Sequence, residues 1–215
     1  MNELSLVEII AIAILPVLFA IILHEIAHGW VAKQLGDNTA SLLGRLSLNP
    51  LKHIDPVGTI LVPMVLIFTV GVAIGWAKPV PVNWANLRQP KRDMALVAIA
   101  GPFSNLLMAI FWGFFLKLVT LLPGTSITQA LLYMGQIGIM INVLLMVFNL
   151  LPIPPLDGGR VAVGLLPNVW ARRLSTIEPF GFFIIVGLMI SGVLWFLIQP
   201  LQRAVYAFIS IITGI

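Results

Sequence analysis

His24 and His28 flank Glu25 in the run His-Glu-Ile-Ala-His, and groups of these types at this spacing can support hydrolytic metal chemistry. Four residues on a helix advance about 6 Å with roughly 40° of rotation, so both imidazoles share one face. Two neutral imidazoles so placed can grip one Zn²⁺, and the adjacent carboxylate can take a proton from a water activated there. The setting sharpens this reading. From Leu6 to Leu23 only Glu8 interrupts an apolar run, and no turn signal separates that run from the histidines. Ionisable side chains at membrane depth are costly and usually mark a functional interior.

A further ligand must come from elsewhere in the chain. There are no cysteines, so any metal site is built from His and carboxylate. The run Asn149 to Arg160, NLLPIPPLDGGR, offers one. Pro152, Pro154 and Pro155 must end the helix before them, and Gly158 and Gly159 follow Asp157, so irregular backbone sets a carboxylate at a helix end. Three protein ligands would leave the fourth position of zinc open for water. Read without a metal, Asp157 is an interfacial cap or a partner of Arg160.

Composition sets the environment these residues need. Of 215 residues 60% are hydrophobic and 9% charged, which excludes an ordinary soluble domain. The net charge of +4 lies in the connections between apolar runs, where anionic lipid headgroups explain it better than nucleic acid. Glu3 and Glu8 stand where a signal peptide would be basic, so no removable leader is expected. The chain is expected to be one all-α, multi-pass membrane domain over 1–215, with a core of about 4–160 and C-terminal membrane helices over about 178–215. About four full transmembrane helices are expected, with small extended or hairpin elements at the interface in 33–56 and 76–93. The apolar run 57–75 carries Pro63, Gly71 and Gly75. If it crossed completely, as did the next two, Asp157 would emerge on the wrong side from the histidines. A re-entrant or short path brings them together, and keeps Lys33, Arg45, Lys52, Lys78, Arg88, Lys91 and Arg92 on one face.

The chain resembles the site-2 protease family of intramembrane zinc metalloproteases. HEIAH on the first helix, AGPFSN from Ala100 to Asn105, and NLLPIPPLDGG after the fourth apolar run carry the likeness in order. It implies His24, His28 and Asp157 as ligands of one Zn²⁺, Glu25 as general acid and base, and Asn105 and Asn149 near a substrate strand. It also implies a transmembrane protein or peptide as substrate in the lipid bilayer, and the basic loops place the site toward the cytoplasmic face of the expected cell (plasma) membrane. The inserted PDZ or appended CBS domain of many members is absent from this sequence.

Other readings stand beside these. Asn105 can equally hydrogen-bond between helices, and Asn149 can satisfy carbonyls freed at the helix break. His53 more readily faces solvent or Asp55 than a metal. Gly135 and Gly138 suit close helix approach. A membrane proton or ion transporter using Glu25, His24, His28 and Asp157 as a relay is the alternative function, although no internal repeat supports it.

Overall fold

The computed structural model describes residues 5–70 and 75–215. Glu3 and Gly71, both used in reading the sequence, lie outside them. Ser5 opens helix α1 (Leu6–Gln34) with a reciprocal cap, its hydroxyl accepting the Glu8 N–H while the Glu8 carboxylate accepts the Ser5 N–H. Its 29 residues run about 43 Å. Gly36, at φ +115°, then turns the chain through a conformation that side chains rarely adopt. The remaining helices are α2 (Thr39–Leu42), α3 (Val62–Val70), α4 (Pro90–Val119), α5 (Ser126–Asn149), α6 (Asp157–Leu165), α7 (Asn168–Ser175), α8 (Gly181–Ile190) and α9 (Val193–Thr213). A 3-10 turn at Pro50–His53 and a π-helical turn at Pro56–Leu61 lead into α3.

The packing centre lies between α4, α5 and α9. Trp112 of α4 lies so close to Gly138 of α5 that a Cβ there would sit 2.3 Å from the indole. Ala109, Val143, Val147, Ile198 and Ile209 are buried in the same cluster. Outward faces remain apolar, with Phe68, Phe111, Phe196 and Ile211 exposed, as suits helices solvated by lipid. Five helical stretches are long and apolar enough to cross a membrane: Val7–Gln34, Pro90–Val119, Ser126–Asn149, Asn168–Ile190 and Val193–Thr213. This is an all-helical, multi-pass membrane fold, with one more such stretch than the four or so expected. The difference lies at the C-terminal end, where Pro200 is accommodated inside α9 and the break falls at left-handed Gly192.

Of the extended or hairpin elements expected, no hairpin forms, and among the described residues there is no strand. Pro79 and Pro81 have no N–H to offer a ladder. The N–H groups of Trp76, Lys78 and Val80 are taken by the Gly58 carbonyl, the His53 carbonyl and the Glu25 carboxylate.

Hydrogen bonds also decide the path of 57–75. The Trp76 N–H donates to the Gly58 carbonyl at 3.0 Å, and the Thr59 hydroxyl donates to the Trp76 carbonyl at 2.9 Å, so the two ends of this segment meet. Asp37 ties the flanking loops: its carboxylate accepts from the Thr39 N–H and hydroxyl, the Asn83 N–H and the Asn86 amide. Burial pushes the Asp37 carboxyl up, but those four donors outweigh it and hold the group below its ordinary value. The tie is therefore fully present above the unfolded-state pKa and is lost as pH falls through the lower native one. At the same end, Arg45 donates to the carbonyls of Lys78 and Pro79, and Lys91 to that of Leu166. Lys117 is at the opposite end of α4 and donates to the Thr213 carbonyl.

Two expectations follow. Cysteines introduced at exposed Leu43 and Ala85 of this cysteine-free chain should react with a membrane-impermeant maleimide from the same side, and labelling from opposite sides would refute the returning path. Asp37→Ala should destabilise the protein in detergent by about 2 kcal/mol, since four hydrogen bonds to a buried charged acceptor are lost; an unchanged unfolding midpoint would deny the tie that role.

Candidate metal centre

Helix register brings the two histidines to meet α4. His24 lies ten residues before the end of α1 and Gly101 eleven after the start of α4, so both sit about 15 Å in from the same end of the bundle. Gly101 is what allows the approach. A Cβ on it would stand 2.4 Å from His28 Nε2 and 2.6 Å from His24 Nε2. Asp157 arrives from the other direction as the first residue of α6, where the helix dipole favours a carboxylate. The turn before it is tightly folded: a Cβ on Gly158 would meet the Leu150 carbonyl at 2.2 Å, and one on Gly159 the Pro154 nitrogen at 2.4 Å. Only residues without a side chain fit there.

The three side chains converge on one point. His24 Nε2 and His28 Nε2 are 3.1 Å apart, and Asp157 Oδ2 lies 3.1 Å from the first and 3.3 Å from the second. Their side chains are 9%, 12% and 14% exposed. His28 Nδ1 is 2.7 Å from the Val97 carbonyl, which can only accept, so the ring proton lies on Nδ1 and the Nε2 lone pair faces inward. His24 Nδ1 donates likewise to Asn105 Oδ1 at 2.6 Å. Asp157 Oδ2 is buried and receives no hydrogen bond. With both imidazoles neutral, two nitrogen lone pairs and a carboxylate oxygen face one another, an arrangement that repels itself unless a cation enters. The edge of a tetrahedron with bonds of about 2.0 Å is roughly 3.3 Å, so spacing and donor set both fit zinc.

A cavity of about 510 Å³ opens on this point, lined by His24, Glu25, His28, Asp157, Asn149, His53 and Arg160 among mostly apolar neighbours. Glu25 Oε2 accepts the Val80 N–H at 2.7 Å, which sets the carboxylate's orientation. Asn149 lines the cavity while its amide N–H donates back to the Leu145 carbonyl. Asn105 lies behind His24 and is fully buried, its carbonyl bound to the imidazole and its NH₂ to the Ala20 carbonyl and Asn142. His53 is buried, but neither near the metal group nor on Asp55: its Nε2 meets the Ser47 carbonyl at 2.8 Å, and Asp55 caps the π-helical turn. Arg160 reaches Glu178 and the face of Trp84, not Asp157, so the reading of Asp157 as its partner is not what the structure holds.

Sequence reasoning gave Val97, Val80 and Gly101 no part in positioning the ligands or Glu25. The first two act through backbone atoms, which carry no residue-type signal. For Gly101 the sign was a glycine preceding proline in an otherwise apolar helix. Gly101→Ala should weaken Zn²⁺ binding by about tenfold or more, because the new methyl must displace both imidazoles. Chelator competition on purified protein measures this, with Gly124→Ala, whose Cβ meets open space, as the control. Equal affinities in the two variants would contradict the packing described.

Comparison with known proteins agrees with this geometry. Residues 115–192 match peptidase family M50. YwhC of Bacillus subtilis (strain 168), which bears the provisional name of a zinc metalloprotease, is 37% identical over 195 residues, covering 89% of this chain and 85% of that protein. Rip2 of Mycolicibacterium smegmatis, also provisionally named a zinc metalloprotease, is 31% identical over 208 residues, covering 91% of this chain and 73% of its own length. No solved structure gives a significant match. With 37% identity to a relative along nearly its whole length, the chain belongs to peptidase family M50, the site-2 protease family, and is an integral multi-pass membrane protein.

Proposed function

We propose that this protein is an intramembrane zinc metalloprotease, an endopeptidase that hydrolyses a peptide bond within or near a transmembrane segment of a membrane-protein substrate. The observation that carries the proposal is the convergence of His24, His28 and Asp157 about 15 Å inside an apolar helical bundle, with Glu25 in the same cavity. The names of the relatives support zinc and proteolysis over the proton-relay alternative.

His24, His28 and Asp157 would hold one zinc ion. Bound there, the metal would supply Lewis acidity, making a water acidic near neutral pH and drawing charge from a carbonyl oxygen. Glu25 accepts the proton of the attacking water on its carboxylate and returns it to the amine nitrogen as the peptide C–N bond breaks. The Val80 N–H keeps that carboxylate aimed while leaving it lone pairs for the proton. Apolar walls such as Leu18, Ile21, Ile22 and Phe148 suit a hydrophobic segment, and limit the water that reaches the site. A substrate helix must unwind locally before its amide can react, since helical carbonyls are already hydrogen-bonded. Asn149 at the cavity wall is positioned to receive such an unwound backbone.

The basic connections gather at the end of the bundle nearer the site, which by the positive-inside rule faces the cytoplasm of a cell membrane. Shed fragments would then leave on the cytoplasmic side.

Glu25→Gln should retain stoichiometric zinc and lose cleavage by about 10²- to 10⁴-fold, the usual worth of a general acid and base. His24→Ala should lose the metal itself. Metal analysis of both variants, with proteomic comparison of membranes from cells expressing wild type or Glu25→Gln, checks this. Accumulated single-span fragments in the Gln variant are expected; zinc-loaded wild type with no difference between the membranes would sink the proteolytic reading.

A further inference from the structure

The metal reading requires His24 to present a bare Nε2, and therefore to carry its proton on Nδ1. What enforces this is Asn105 Oδ1, and an amide can enforce it only while turned the right way. An Asn105 rotated by half a turn would offer NH₂ to Nδ1. The imidazole would then accept there and carry its proton on Nε2, pointing at the metal position and at Asp157 Oδ2. The question is what holds the amide.

The answer lies on α5, in a residue set back from the cavity. Asn142 on α5 is fully buried and does not line the cavity. Its Oδ1 accepts from Asn105 Nδ2 at 2.9 Å, and its own Nδ2 donates to the Gly138 carbonyl at 2.8 Å. A backbone carbonyl cannot donate, so Asn142 must turn its NH₂ toward Gly138 and its oxygen toward Asn105. Asn105 in turn must direct NH₂ toward Asn142, with a second N–H reaching the Ala20 carbonyl at 3.2 Å. Every step has one permitted direction. The series ends with an oxygen facing His24 Nδ1.

We propose that Asn142 is a positioning residue of the metal site: anchored on the Gly138 carbonyl, it fixes the orientation of Asn105 and thereby the tautomer in which His24 offers Nε2 to zinc. This rests on the reading of His24, His28 and Asp157 as a zinc site. Buried polar chains in low dielectric are stabilised only when each member is satisfied, and here each amide is. The remote partner of a ligating histidine typically contributes 10- to 100-fold in metal affinity. A residue one bond further out, with the Ala20 carbonyl sharing its task, belongs at the lower end of that range.

The test reads the zinc dissociation constant of purified protein by chelator competition, and the unfolding midpoint of the metal-free form. Asn142→Leu should weaken zinc about tenfold. Asn142→Asp, whose protonated carboxyl can repeat both hydrogen bonds, should restore the affinity to within twofold or so of wild type. The decisive variant is Asn105→Asp. A carboxylate accepts through either oxygen and needs no orienting, so adding Asn142→Leu to it should leave zinc affinity unchanged. An equal loss from Asn142→Leu in both backgrounds would show a packing role and overturn the proposal, as would unaltered affinity in the single variant. Wild-type protein that binds no stoichiometric zinc, or binds it equally well as His24→Ala, would instead overturn the metal reading on which this depends.

Discussion

The repulsion that two neutral imidazoles and a carboxylate exert on one another at close range is the constraint around which this molecule is arranged. His24 Nε2, His28 Nε2 and Asp157 Oδ2 stand 3.1–3.3 Å apart in surroundings too apolar to screen them. The Val97 carbonyl and Asn105 draw the ring protons to the far side of each imidazole, and the start of α6 favours a negative carboxylate. A divalent cation converts the same arrangement from repulsive to attractive. That is why the site makes physical sense as a metal centre and poor sense as a packed core.

Bringing those donors together demands backbone approaches that side chains would prevent. Gly101 lets α4 lie against both imidazoles, and Gly158 and Gly159 let the segment after α5 fold back on Leu150 and Pro154. Gly138 does the same for Trp112, clamping α4 to α5 where Asn105 and Asn142 meet. Close packing and polar chemistry are thus the same feature seen twice. Small residues bring the helices near enough for buried amides to reach their partners, and the amides then hold the helices in register.

The apolar setting explains the rest of the design. Lipid cannot satisfy a free N–H, so the irregular stretch after Gly75 has its N–H groups bound to the Gly58 carbonyl, the His53 carbonyl and Glu25. The same bonds close the loop begun at Pro56. Asp37, buried with four donors, fastens the end of α1 to the segment that follows the loop. The Glu25 carboxylate is therefore positioned partly by a stretch of chain more than fifty residues away that contributes only a backbone atom.

Much of this was legible in the residues themselves. The HEIAH spacing, the carboxylate between prolines and glycines, and the absence of cysteine named the candidate ligands, because residue type and helical period decide which side chains can share a metal. Composition alone placed the chain in a bilayer, since so few charges cannot solvate a 215-residue surface. The parity of apolar runs already required 57–75 to turn back if the ligands were to meet. Extended or hairpin elements were expected at the interface and no hairpin formed in 76–93, because Pro79 and Pro81 leave an edge with too few donors. Which amide faces which ring, that Val97 and Val80 act through their backbones, and that His53 turns to Ser47 were settled only in three dimensions. Those are contacts between residues 6 to 81 positions apart, directed by helix packing, and no local pattern of residue types encodes them.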